Sequence, residues 1–119
     1  MEQIINLNNG NILADNIKVA GTFWGRLKGL MFKPGLAKGE CLIIRPCNMI
    51  HTFGMRFPLD VVFAAERGEA VYEVVHITEN IKPYRIGTLV PKADCVLELP
   101  AGTVKTSGTK VGDQLAGEL

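Results

Sequence analysis

From Ile4 to Leu115 the chain is a succession of short β-type runs, each closed by glycine, proline or asparagine, and it holds one stretch with a helical period. A chain punctuated this way lacks the regular strand–helix–strand alternation that an all-parallel sheet requires. The opening pair is the clearest. Ile4–Leu7 and Asn11–Ala14 flank Asn8-Asn9-Gly10, and Asn-Gly supplies the positive φ angles of a tight hairpin turn. Asn16–Ala20 then alternates, with Ile17 and Val19 on one face, and is expected to extend this meander.

The period changes after Thr22, a suitable helix N-cap. Phe23, Leu27, Leu30 and Met31 fall at i, i+4, i+7 and i+8, one apolar stripe that Lys33-Pro34-Gly35 stops. The spacing predicts one main helix over residues 22–32. Gly25 and Gly29 lie one turn apart on it, each costing up to about 1 kcal/mol relative to alanine, which points to a close approach by a packed neighbour.

The remainder reads as strands. Cys41–Arg45 and Asn48–Phe53 are β-rich, and Leu59–Ala65 pairs with Glu69–Ile77 across Glu66-Arg67-Gly68. Thr78–Val90 shows no period and contains Pro83 and Gly87, so it is expected to be a long loop, a candidate lid or binding loop. Ala93–Leu99 resumes as a strand until Pro100-Ala101-Gly102. A stretch with room for one helical turn follows, then a last strand around Gln114-Leu115. Short strands with one helix give a β-rich α+β fold, expected as a small partly closed β-barrel. At 119 residues with no linker or repeat, residues 1–119 form one domain.

Composition narrows the function classes. Thirteen basic against twelve acidic residues give a formal charge of +1, which provides no field for nucleic acid or an anionic membrane. Met1-Glu2-Gln3-Ile4-Ile5-Asn6 has no basic stretch followed by an apolar core, and no apolar run approaches the ~20 residues of a membrane span. The expectation is a cytoplasmic protein without membrane or nucleic-acid partners. Cys41, Cys47 and Cys95 are odd in number and without CxxC spacing, so reduced thiols are expected rather than disulfides.

The blocks also carry a resemblance. Thr22 with Arg26-Leu27-Lys28-Gly29-Leu30-Met31-Phe32 resembles the Thr-x3-Arg-x2-Gly-Leu-Met signature of the domain of unknown function 192 family. His51-Thr52-Phe53-Gly54-Met55-Arg56-Phe57-Pro58-Leu59-Asp60-Val61-Val62-Phe63 resembles its central motif. Val96–Gly102 is similar to its late strand, and Val111-Gly112-Asp113 to its end. Where a common form of the central motif has Trp-Met-Lys-Asn-Thr, this chain has the His-Thr-Phe variant. The resemblance implies a compact β-rich domain and brings no established reaction or ligand.

The charged residues of the central motif sit among apolar neighbours. His51, Arg56 and Asp60 must therefore pair with one another, reach solvent or face a ligand. An Arg56–Asp60 ion pair locking the turn at Pro58 is the structural reading. As a ligand site, the Arg56 guanidinium would hold a carboxylate or phosphate while His51 supplies a donor, with Met31, Phe53 and Met55 lining the pocket. Cys47 precedes His51 by four residues, about 13 Å along a strand, too far for a direct thiol–imidazole pair without a bend. Cys41, Cys47, Cys95, His51 and His76 match no metal-ligand spacing, and no phosphate loop is present, so no metal or cofactor is assigned. Glu98, between Leu97 and Leu99, is expected on the solvent face of its strand.

The leading reading is a non-catalytic binding or accessory module for a small anionic ligand or a peptide. One alternative is a small hydrolase or transferase with His51 as base and Arg56 stabilising negative charge. Another is a protein–protein module anchored by an exposed Phe53 or Phe57.

Overall fold

The computed structural model describes residues 3–20, 35–51, 57–82 and 86–117. The helix expected over residues 22–32 and the signature residues Arg26 and Met31 lie outside them, as do Phe53, Met55 and Arg56.

Ten strands are seen among the described residues: β1 (Ile4–Asn6), β2 (Ile12–Ala14), β3 (Asn16–Ala20), β4 (Glu40–Ile44), β5 (Met49–His51), β6 (Leu59–Gly68), β7 (Val71–Ile81), β8 (Ile86–Leu89), β9 (Cys95–Pro100) and β10 (Gln114–Ala116). One short helix, α1 (Thr103–Ser107), sits between β9 and β10. Eight strands form one sheet in the order β2-β1-β10-β7-β6-β9-β4-β3, and β5 and β8 form a separate two-stranded sheet. The β-rich α+β class therefore stands.

The barrel does not. The large sheet is open, with β2 and β3 as its two edges. The reason lies in β3, which does not continue the opening meander. It runs to the far edge and pairs in parallel with β4, Ile17 beside Cys41 and Val19 beside Ile43. A parallel pair needs a crossover of a dozen or more residues, and residues 21–39 supply it. Sending β3 to the opposite edge removes the neighbour that β2 would need for closure.

The opening hairpin forms as expected, with Gly10 at φ 77 in its turn. β6 and β7 also pair as expected, but β6 runs through the expected turn to Gly68 and β7 starts only at Val71, so the turn moves to Glu69-Ala70 with Ala70 at φ 57. The long loop expected over Thr78–Val90 is largely strand. β7 continues to Ile81 opposite Leu59, and β8 pairs with β5, placing Leu89 opposite Met49.

Two apolar clusters pack on opposite faces of the central strands. Ile43, Val62, Ala64, Leu97 and Leu99 belong to the first face, which α1 joins through Val104. Leu42, Ile44, Val61, Phe63 and Val96 belong to the second, where Ile50, Leu36 and Phe57 also pack. Phe57 is thus half-buried in this cluster rather than displayed as an anchor for a partner.

Polar side chains fasten the ends. Buried Asn6 donates from Nδ2 to Asp113 Oδ2 at 2.9 Å and to Thr109 Oγ1 at 3.3 Å, and its Oδ1 accepts from the Asn8 amide. Asp113 Oδ2 also accepts from the Lys110 amide. The Gly112-Asp113 block is therefore a clasp between the first strand and the last.

The start of β3 depends on Gly39. Its carbonyl accepts from the amides of both Asp15 and Asn16, each at 3.0 Å. It holds φ +88, and a Cβ there would collide with the Asp15 carboxylate. Gly39→Ala is expected to lower stability by roughly 1–3 kcal/mol, through left-handed strain and the displaced Asp15. Urea unfolding measures this, and a variant as stable as the parent would show that the junction yields freely.

Candidate functional site

Asp60 is 1% exposed on β6, opposite Leu99. Its Oδ2 accepts from the amides of Gly102 (3.1 Å) and Val104 (2.9 Å), and its Oδ1 accepts from the amide of Asn80 (2.8 Å). The N-cap of α1 is Gly102, with φ 96, and has no side chain to satisfy the first amides of the helix. Asp60 supplies that acceptor from the neighbouring strand, the role a capping Asp or Ser normally fills locally. A buried carboxylate is tolerable when several donors surround it. Arg56, solvent or a ligand were expected to meet Asp60, and among the described residues its partners are three backbone amides. Of the other two residues of that cluster, Arg56 lies outside the described residues, and His51 is described only as the end of β5, opposite Ile86.

Glu98 is the group that the sequence reading missed. It was expected on the solvent face, yet only 4% of it is exposed. The register explains the correction. Glu98 lies between Leu42 on β4 and Val61 on β6, both of the second apolar cluster, and β9 is covered on both faces. Its Oε2 is fully buried and has no hydrogen-bond partner among the described residues. Burial alone raises its pKa from the ordinary 4.5 to about 8, so the side chain is a neutral carboxylic acid at neutral pH. The available signal was the neighbourhood. A charged residue inside Cys95-Val96-Leu97-Glu98-Leu99 belongs to the near-continuous apolar pattern of a doubly covered strand.

Around Glu98 the second face changes character from β9 toward β7. Across from Val61 stands Thr78, and across from Phe63 stands His76. Both are half-buried, and the His76 ring meets Phe63 edge-on with centroids 5.5 Å apart. The face therefore combines a closed apolar floor, one neutral acid and a half-open polar margin. No group of three or more potential metal ligands occurs among the described residues.

The thiols divide by environment. Cys41 and Cys95 are buried, and Cys47 is half-buried. Desolvation chiefly, then the nearby Glu98, pushes the Cys41 thiol far up, and desolvation followed by Asp94 pushes Cys95 up to about 12. Neither provides a thiolate nucleophile at neutral pH. Cys47 Sγ donates to the Met49 carbonyl at 3.0 Å.

Two outcomes follow. Asp60→Ala leaves three amides without their acceptor and is expected to cost about 3 kcal/mol or more, seen as a lower urea midpoint and faster amide exchange at Gly102 and Val104. Glu98 acts in the opposite sense. Its folded pKa lies above its unfolded one, so the folded state holds the extra proton and stability falls as pH rises from about 4.5 to about 8. At about 1.4 kcal/mol per pH unit the loss is at most about 5 kcal/mol. Glu98→Gln cannot ionise, so its stability advantage over the parent should grow across that window in urea titrations. A difference independent of pH would mean that Glu98 is charged and paired.

The fold has counterparts among known proteins. A model of the family described as uncharacterized ACR, DUF192, matches residues 4–117. A UPF0127 protein of Thermococcus sibiricus (strain DSM 12597 / MM 739) is 30% identical over 122 residues, spanning 98% of this chain and 75% of that protein. A solved structure from Sinorhizobium meliloti 1021, provisionally described as a transcription regulator, is similar with a TM-score of 0.78 and 30% identity, over 98% of this chain and 91% of that one. A protein of unknown function from Novosphingobium aromaticivorans DSM 12444 shares the fold, with a TM-score of 0.78 at 24% identity over 99% of this chain and 83% of its own. With the match running from β1 to β10, the chain belongs to the uncharacterised DUF192 family.

Proposed function

We propose that the protein is a non-catalytic binding module whose ligand lies on the second face of the sheet with the Glu98 carboxyl as its polar anchor. The observation that carries this reading is the fully buried Glu98 Oε2, which has no partner among the described residues. An unsatisfied buried polar atom costs about 1–3 kcal/mol, and the methionine-shaped alternative would remove that cost. The surrounding Leu42, Val61 and Val96 favour an apolar body. A ligand N–H would satisfy the acid, and a ligand ammonium would stabilise the carboxylate form, the acid's proton leaving to solvent.

This narrows the expectation of a small anionic ligand or a peptide. A peptide offers apolar side chains together with amide donors and carbonyl acceptors, whereas a simple anion can accept from the acid's O–H but brings no apolar body to this wall. Leu36, Ile50 and Phe57 also pack on this face, and Ile50 and Phe57 neighbour His51 and Arg56 in the sequence. His51 and Arg56 are retained in the proposal as groups that orient the bound segment, and Met31, Phe53 and Met55 as its apolar lining. The provisional description of the Sinorhizobium relative is not carried over. The helix among the described residues, Thr103–Ser107, has 5 residues, too short to read a major groove, and the net charge is only +1.

The test is a thermal-shift and calorimetric screen of short apolar peptides and small amines against the parent, Glu98→Met, His51→Ala and Arg56→Ala. Glu98→Met is expected to be more stable than the parent and to lose at least tenfold in affinity, which separates binding from folding. Hits that bind Glu98→Met as tightly as the parent would overturn the proposal, and so would a screen that returns only carboxylates and phosphates.

A further inference from the structure

A second recess lies away from Glu98, at the end of the sheet where the Arg45–Asn48 segment faces Ala93–Cys95. It is an open cleft of about 720 Å³ whose walls include Arg45, Cys47, Asn48, Glu66, Tyr72 and Asp94. That volume is in the range of small-molecule sites. The walls are stitched together by backbone bonds. The Cys47 amide donates to the Asp94 carbonyl at 3.1 Å, the Asp94 amide donates to the Ala64 carbonyl at 2.8 Å, and the Val90 amide donates to the Asn48 carbonyl at 2.7 Å. Asp94 Oδ2 accepts from the Glu66 amide at 2.6 Å, which fixes that carboxylate, while its Oδ1 makes no hydrogen bond among the described residues.

Both signs of charge meet here. The Arg45 guanidinium acts on the buried Tyr72 and Cys95 in one direction, while Asp94 and Glu66 act on the same two groups in the other. Arg45 forms no ion pair among the described residues, where the bridge seen joins Arg67 to Glu73. A guanidinium without an ion pair among the described residues and two carboxylates line the same cleft, a set that suits a ligand carrying both charges. A simple anion would meet two like charges, and a simple cation would meet Arg45.

We infer that this cleft binds a small zwitterion, a molecule of amino-acid to dipeptide size whose carboxylate faces Arg45 and whose ammonium faces Asp94 and Glu66. A guanidinium grips a carboxylate through two parallel N–H bonds, and the fixed Asp94 provides the second point that sets orientation. The thiol of Cys47 and the amide of Asn48 leave a polar edge for the side chain of the ligand.

Titration of the ¹⁵N-labelled protein with free L-amino acids and L-alanyl-L-alanine tests this, with acetate and methylammonium as single-charge controls. Saturable shifts are expected at the amides of Cys47, Asn48, Glu66 and Asp94 with the zwitterions, at least tenfold tighter than with either control. Arg45→Gln and Glu66→Gln should each weaken binding about tenfold or more at unchanged melting temperature. Acetate matching the zwitterions would overturn the inference in favour of a plain anion site, methylammonium matching them in favour of a cation site, and no shifts at 50-fold molar excess would overturn it outright. Should Arg45→Gln fail to fold, the ligand selectivity of the parent protein decides alone.

Discussion

β6 and β9 lie side by side at the middle of the sheet with apolar clusters on both faces, and the remaining features depend on that double covering. A strand with one wet face can turn a carboxylate to water every second residue. These two strands cannot, because Leu97 and Leu99 pack on the first face and Val96 on the second. Any polar residue placed there enters the core and must find a partner inside it. Asp60 and Glu98 are the two carboxyls that meet this condition, two strands' worth of backbone apart in role though adjacent in the sheet.

Their fates differ because of what stands beside them. Asp60 faces the start of α1 and the end of β7, where backbone amides have no acceptor of their own, and its two oxygens satisfy Gly102, Val104 and Asn80. The central strand, the long hairpin and the short helix are thereby fixed by one side chain. Glu98 has Leu42 and Val61 as its cross-strand neighbours, and neither can donate. One carboxyl is used to build the fold, and the other is held in reserve against it.

Much of the fold was legible because punctuation is local. Asn8-Asn9-Gly10, Pro100-Ala101-Gly102 and Gly112-Asp113 end elements by the backbone angles they permit, and strands appear where those signals bound β-branched runs. What was not legible is which strands become neighbours. The alternation in Asn16–Ala20 fits a meander as well as a parallel edge, and only the register with β4 decides. That choice separates an open sheet from a barrel. The Thr78–Val90 stretch shows no period because its strands belong to two different sheets, β7 to one and β8 to the other. At the site, Glu98 was misread by applying the one-wet-face pattern to a strand with none, and the three amides that Asp60 accepts from were not foreseen because backbone amides leave no trace in a sequence.

Under the proposed binding role, the neutral acid on the second face acts by hydrogen bonding rather than by proton transfer. General acid–base work needs a carboxyl that exchanges its proton with substrate and then with solvent, and Glu98 Oε2 is fully buried, so the proposed ligand reaches it only as the side chains covering it move aside. Buried Cys41 and Cys95, in the first cluster, are held in the thiol form chiefly by desolvation. A hydrogen bond to a bound group needs no such exchange, and it gains strength from the dry surroundings that hinder turnover. The covering that makes Glu98 costly to the free protein is therefore what would make it selective for a ligand, since only a partner able to satisfy the acid recovers the cost.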